Sequence, residues 1–107
     1  MWNIQDKKQT IEAQLTKKTA DDIILLHKVY PNPVTTELTI SYTLIEKAQI
    51  QIFLVASNGI EVRRMLKHTQ DVGVKQETIN CSGLMSGTYH LKIIAGQQII
   101  TQTIIKK

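Results

Sequence analysis

From residue 38 to residue 44 the chain alternates apolar and polar side chains with a strict period of two. Leu38, Ile40, Tyr42 and Leu44 fall on one face, and Thr39, Ser41 and Thr43 on the other. Successive side chains of a β-strand point to opposite sides, so this period demands a strand with one face buried. A helix would scatter the same apolar residues around its circumference. The period returns at Ala48, Ile50, Ile52 and Leu54 against Gln49 and Gln51, and at Tyr89, Leu91 and Ile93 against His90 and Lys92. Ser57-Asn58-Gly59 closes the second of these runs. Asn-Gly between strand patterns predicts a hairpin, since both residues tolerate positive φ. Ile60, Val62, Met65 and Leu66 supply the return strand, with Glu61, Arg63 and Arg64 expected in solvent. A polar loop is expected over residues 67–72 and a further strand over 74–79.

The segments around these runs carry turn chemistry. Ile23-Ile24-Leu25-Leu26 is a short apolar run of strand length. Tyr30-Pro31-Asn32-Pro33 reads as a rigid extended turn, because each proline fixes φ and turns the residue before it away from helix. Leu84, Gly87 and Tyr89 precede and open a late strand, an arrangement similar to the tyrosine corner of sandwiches, in which the phenol bonds back to the backbone. Ala95-Gly96-Gln97 makes a last tight turn before a final strand over 99–105, whose Ile99, Ile100, Ile104 and Ile105 fall on both faces. The strand ends on Lys106-Lys107. Short strands at this spacing, with no strong helix between them, specify an all-β antiparallel sandwich. Residues 1–22 are polar, with apolar Ile4, Ile11 and Leu15 thinly spaced, so they are expected to form a linker or weak helix ahead of a domain over 23–107.

The chemistry-bearing residues are sparse. The net charge is +4, but the lysines are scattered and no basic stripe is interleaved with aromatics, which disfavours nucleic acid as a partner. Cys81 is the one cysteine, so no disulfide forms within the chain, and its expected role is that of a small buried hydrophobe. His27, His68 and His90 lie far apart, without the spacing of metal ligands. Asn80-Cys81-Ser82 fits a glycosylation sequon, a pattern too short to weigh much. No nucleophile–base pair, phosphate loop or metal cluster is visible, so no catalysis and no cofactor are expected. No apolar stretch reaches the ~20 residues that span a bilayer. Residues 1–22 also lack the apolar run of a signal peptide, so this chain is expected to carry no export leader of its own.

Taken in order, the features from Tyr30 onward resemble the type A C-terminal sorting domains of the type IX secretion family. Those domains open on a Tyr-Pro-Asn-Pro box, here Tyr30-Pro31-Asn32-Pro33. An alternating strand and a hairpin with Asn58-Gly59 follow, then a Leu-x-x-Gly-x-Tyr box at Leu84, Gly87 and Tyr89. A glycine hairpin at Gly96 and a lysine-tipped strand ending on Lys106 and Lys107 complete the series. One departure is Ile52-Phe53-Leu54-Val55-Ala56-Ser57, where the family commonly places a Tyr-Asp pair before the turn.

The resemblance implies an immunoglobulin-like sandwich of about seven strands at the C-terminus of a secreted protein of Bacteroidota. It implies a non-catalytic address that takes its cargo from the periplasm through the outer-membrane translocon. It implies a sortase-like peptidase as second partner, which joins the cargo to anionic lipopolysaccharide at the cell surface. The residues quoted from both boxes, the hairpins and the lysine tip would be the recognition set. A homodimer through exposed strand edges is a further expectation. The rival reading is a generic sandwich module for adhesion or carbohydrate binding; it would want exposed aromatics, and the chain holds only Trp2, Tyr30, Tyr42, Phe53 and Tyr89.

Overall fold

The structure, a computed structural model, describes residues 22–107. The expected linker over residues 1–22 therefore lies, Asp22 apart, outside the described residues. Seven strands follow in order: β1 (Ile24–Tyr30), β2 (Glu37–Leu44), β3 (Ala48–Ala56), β4 (Glu61–Gln70), β5 (Gly73–Asn80), β6 (Gly87–Ala95) and β7 (Gln98–Lys106). They form a three-stranded sheet in the order β1-β2-β5 and a four-stranded sheet in the order β4-β3-β6-β7. Every pairing is antiparallel. The predicted all-β, immunoglobulin-like sandwich is the fold observed. No described helix is long and apolar enough to cross a membrane.

The period of two does the work expected of it. Leu38, Ile40, Tyr42 and Leu44 are fully buried from β2, and Ile50, Ile52 and Leu54 face them from β3. Leu91, Ile93 and Ala95 of β6 and Ile104 of β7 complete the contact between the sheets. Cys81 is buried at the end of this core, as expected; burial pushes its thiol pKa up, and the nearby charges of Arg63 and Lys106 only partly offset that. Tyr42 carries the one hydroxyl deep on the β2 face, and it donates to Glu77 Oε2 at 3.1 Å. Glu77 in turn meets Lys67 Nζ at 3.5 Å. Burial, and after it the negative charge of Glu77, hold the Tyr42 phenol above its usual pKa.

Three expectations need correction. Residues 67–70 are not loop but the end of β4, so only Asp71 and Val72 separate it from β5. β4 is an edge strand with two register shifts against β3, between Leu54 and Val55 and between Ala48 and Ile50. Such shifts insert an extra residue and erase the alternation by which a strand is read. Arg63 is not in solvent but half-buried and fully bonded, as described below. Residues 24–26 of the apolar run and Tyr30 belong to one strand: Leu26 pairs Tyr42 and Lys28 pairs Ser41, which leaves His27 as the extra residue of a bulge. The bulge re-phases the strand, so Val29 packs on the core with Leu26 although the two are three positions apart.

Candidate functional site

Antiparallel pairing sorts the connections into two groups. Tyr30 pairs Thr39, Glu37 pairs Asn80, Val55 pairs Glu61, Ala56 pairs Tyr89, and Gly87 pairs Lys106. Hence the segments after β1, β3 and β5 and the C-terminal tip all lie at one end of the sandwich. Tyr30, Pro31, Asn32, Pro33, Asn58, Gly59, Leu84, Gly87, Tyr89, Lys106 and Lys107 gather at this motif end. Gly96 does not; its turn lies at the far end, where Gly96 adopts φ +60 and a Cβ would come within 2.9 Å of Ile23 Cδ1.

The proline box is built onto the last strand. Both of its X-Pro peptide bonds are cis. Between the prolines Asn32 acts as a stray peptide group: its Oδ1 accepts from the Ile105 N–H at 2.9 Å and its Nδ2 donates to Thr103 O at 3.2 Å. Val34 follows and joins Lys106 in a parallel bridge, with its N–H donating to Ile105 O at 2.8 Å and its carbonyl accepting from Lys107 N–H at 2.9 Å. The first motif therefore covers the outer edge of the last strand, 71 to 73 residues away. The lysine tip is only partly solvated. Lys106 is half-buried, its Nζ donates to Lys107 O at 2.9 Å, and only Lys107 is exposed.

The tyrosine corner is present. Tyr89 is only 6% exposed, and its hydroxyl donates to Met85 O at 2.6 Å. Leu84 packs on the core, and its N–H donates to Cys81 O at 3.2 Å. Tyr89→Phe is expected to cost about 1 kcal/mol, the price of one buried hydrogen bond, read as a lower urea midpoint with an unchanged slope. An unmoved midpoint would mean the hydroxyl is equally well served by water. Asn58-Gly59 also turns the chain between β3 and β4, as expected, through a three-residue loop. Gly59 N–H donates to Ala56 O at 2.8 Å, Ala56 N–H donates to Ile60 O at 2.8 Å, and Gly59 sits at φ +91.

Two positioning side chains were not foreseen. Arg63 on β4 spends its whole fork on carbonyls: Nε to Asn80 O at 2.8 Å, Nη2 to Ser82 O at 2.9 Å, and Nη1 to Val62 O at 2.8 Å. It ties the four-stranded sheet to the corner loop that leaves the other sheet. Gln98 does the same at the far end, its Oε1 accepting from the Ile23 and Ile24 N–H groups at 2.7 and 3.1 Å and its Nε2 donating to Ile24 O at 3.1 Å. Both are polar residues beside strand patterns, and only a sheet arrangement reveals what faces them.

The motif end offers anchors and hydrogen bonds but little chemistry. Among the described residues no three His, Cys, Asp or Glu side chains gather as a metal site requires. Asn80 of the sequon is exposed, with Oδ1 turned back to the Ser82 N–H at 2.9 Å and the Ser82 hydroxyl at 2.6 Å. Of the aromatics a sugar would stack on, Tyr42 and Tyr89 are buried and Phe53 is half-buried. Among curated proteins none matches the chain. The family model of the secretion system C-terminal sorting domain matches residues 28–107. That match runs from the middle of β1 to the last residue, across both boxes and the four strands between them, and the chain belongs to the C-terminal sorting domains of type IX secretion.

Proposed function

We propose that residues 23–107 act as a non-catalytic address, read on the periplasmic side, that sends a fused cargo across the outer membrane to the cell surface. The motif end is the face offered to the outer-membrane translocon, and a sortase-like peptidase then separates the address from its cargo. One observation carries this reading. All but Gly96 of the residues that carry the resemblance, dispersed over almost eighty positions, lie at one end of a sandwich that belongs to that family.

The experiment is a fusion of an exported reporter to residues 23–107 in a bacterium with an active type IX pathway. The reporter is expected on the cell surface or in the medium. A second fusion ending at residue 98 is expected to stay in the periplasm, because β6 then loses its β7 partner everywhere but at Ala95. A full-length fusion that folds and still remains in the periplasm overturns the reading.

A further inference from the structure

We propose, resting on the sorting reading above, that the uncovered stretch of the β7 edge, residues 99–103, receives an extended segment of the secretion machinery as an added strand.

The hydrogen-bond directions identify the open stretch. Ile105 and Lys107 turn their backbone groups away from β6, toward Asn32 and Val34. Backbone direction alternates along a strand, so Ile99, Thr101 and Thr103 turn the same way. Thr103 O is taken by Asn32. The N–H and C=O groups of Ile99 and Thr101 and the N–H of Thr103 have no partner among the described residues. The proline box thus covers the C-terminal part of the edge and stops, and a second segment can continue the line it occupies.

The contrast with the other edges is what makes this stretch a docking surface. Bare edges invite wrong pairing, and proteins protect them with bulges, charges and proline. β1 has its bulge at His27. β4 has two register shifts and carries half-buried Arg63 and Lys67. β5 places half-buried Lys75 and Glu77 between the sheets. From Gln98 to Ile105, β7 has no charge, no proline and no register shift, and it is rich in β-branched residues.

The surrounding side chains state what the added segment should carry. On the outer face Ile99, 63% exposed, continues a cross-strand row through Ile94 and Gln51 to Leu66, itself 48% exposed. Thr101 continues the next row through Lys92 and Phe53 to Arg64. Arg64 is engaged by Glu61 at 2.8 Å and lies over the Phe53 ring at 5.1 Å, whereas Lys92 makes no ion pair among the described residues. An added strand lies about 10 Å from β6, two strand spacings, which the long side chains of Lys and Glu can span together. The partner segment is therefore extended, with an apolar residue beside Ile99 and an acidic residue two positions away beside Thr101. So short an edge buries far less than the ~1,200 Å² of a lasting complex. That suits an encounter which must end in release and does not suit a stable second copy of this chain.

The test has two parts. In the purified domain at low concentration, the Ile99, Thr101 and Thr103 amides are expected to exchange with solvent much faster than those of Ile100 and Gln102, which face β6. Equal protection overturns the proposal, as does a concentration-dependent dimer that protects them. In the reporter fusion, Thr101→Pro removes an outward N–H and no bond to β6, and it is expected to lower surface delivery at least ~10-fold with the thermal melt retained. Thr101→Glu, which opposes an acidic partner, is expected to impair delivery, while Thr101→Lys and Thr101→Val are expected to spare it. Should the proline variant fail to fold, the Glu and Lys pair decides. Delivery of folded Thr101→Pro, or of Thr101→Glu, at the unaltered level overturns the proposal and leaves the sorting reading standing. Failure of the unaltered fusion removes both.

Discussion

Ile93→Ala is expected to cost about 3 kcal/mol of folding stability, whereas Ile94→Ala, one residue on, should cost less than about 1 kcal/mol. Ile93 is fully buried at the centre of β6, paired with Ile52 of β3 on one side and Ile100 of β7 on the other. Truncating it removes hydrophobic burial and leaves a cavity that rigid sheets cannot close, and such changes cost about 2–5 kcal/mol. Ile94 points outward and is only half-buried. A small domain holds about 5–15 kcal/mol in all, so the first change consumes a large share of it and the second does not. Urea denaturation of both variants tests the claim. Equal losses would mean the two faces of β6 are alike, and the sandwich assignment would fall.

The same contrast explains what was legible in the chain before any coordinates. β2, β3 and β6 are central, each paired on both sides, and each needs one clean apolar face. Their alternation survives in the sequence, and their burial follows it residue by residue. The edges were harder, because an edge strand is shaped as much by avoidance of further pairing as by the core. β4 inserts extra residues and ends in the polar Lys67-His68-Thr69-Gln70, which reads as loop. β1 spends His27 on a bulge and so breaks its own period. The corner was legible because a tyrosine at that place has a single good use, and its hydroxyl is bonded to a carbonyl four residues back.

The motif residues were legible as a set but not as a place. Nothing in a linear reading says that Asn32 seats itself on Thr103 and Ile105. Parity of the connections does the collecting. With all pairs antiparallel, alternate turns fall at the same end, so Tyr30-Pro31-Asn32-Pro33, Asn58-Gly59 and the corner share that end while Gly96 is sent to the other. The lysine tip arrives at the motif end because β7 is the seventh strand, and its backbone is then fixed by Val34.

Arg63→Ala is expected to cost about 2 kcal/mol and to loosen one corner of the motif end more than the rest of the protein. The guanidinium is half-buried and gives its donors to the carbonyls of Val62, Asn80 and Ser82. A hydrogen bond from a charged donor contributes about 1.5–3 kcal/mol. The partners at Asn80 and Ser82 reach solvent, so water replaces part of what is lost and the sum stays well below three full bonds. Arg63→Lys should recover less than half, because one ammonium cannot span the two carbonyls that a planar fork reaches together. Cys81 supplies the local readout, since it lies between those two carbonyls and is fully buried in the folded protein. Thiol labelling in native buffer should accelerate in Arg63→Ala by more than its loss of global stability predicts. In Ile93→Ala the labelling rate should follow global unfolding alone, because local openings respond to the contacts they break. If labelling tracked global stability equally in both variants, Arg63 would be one more stabilising contact, and the corner loop would not open on its own.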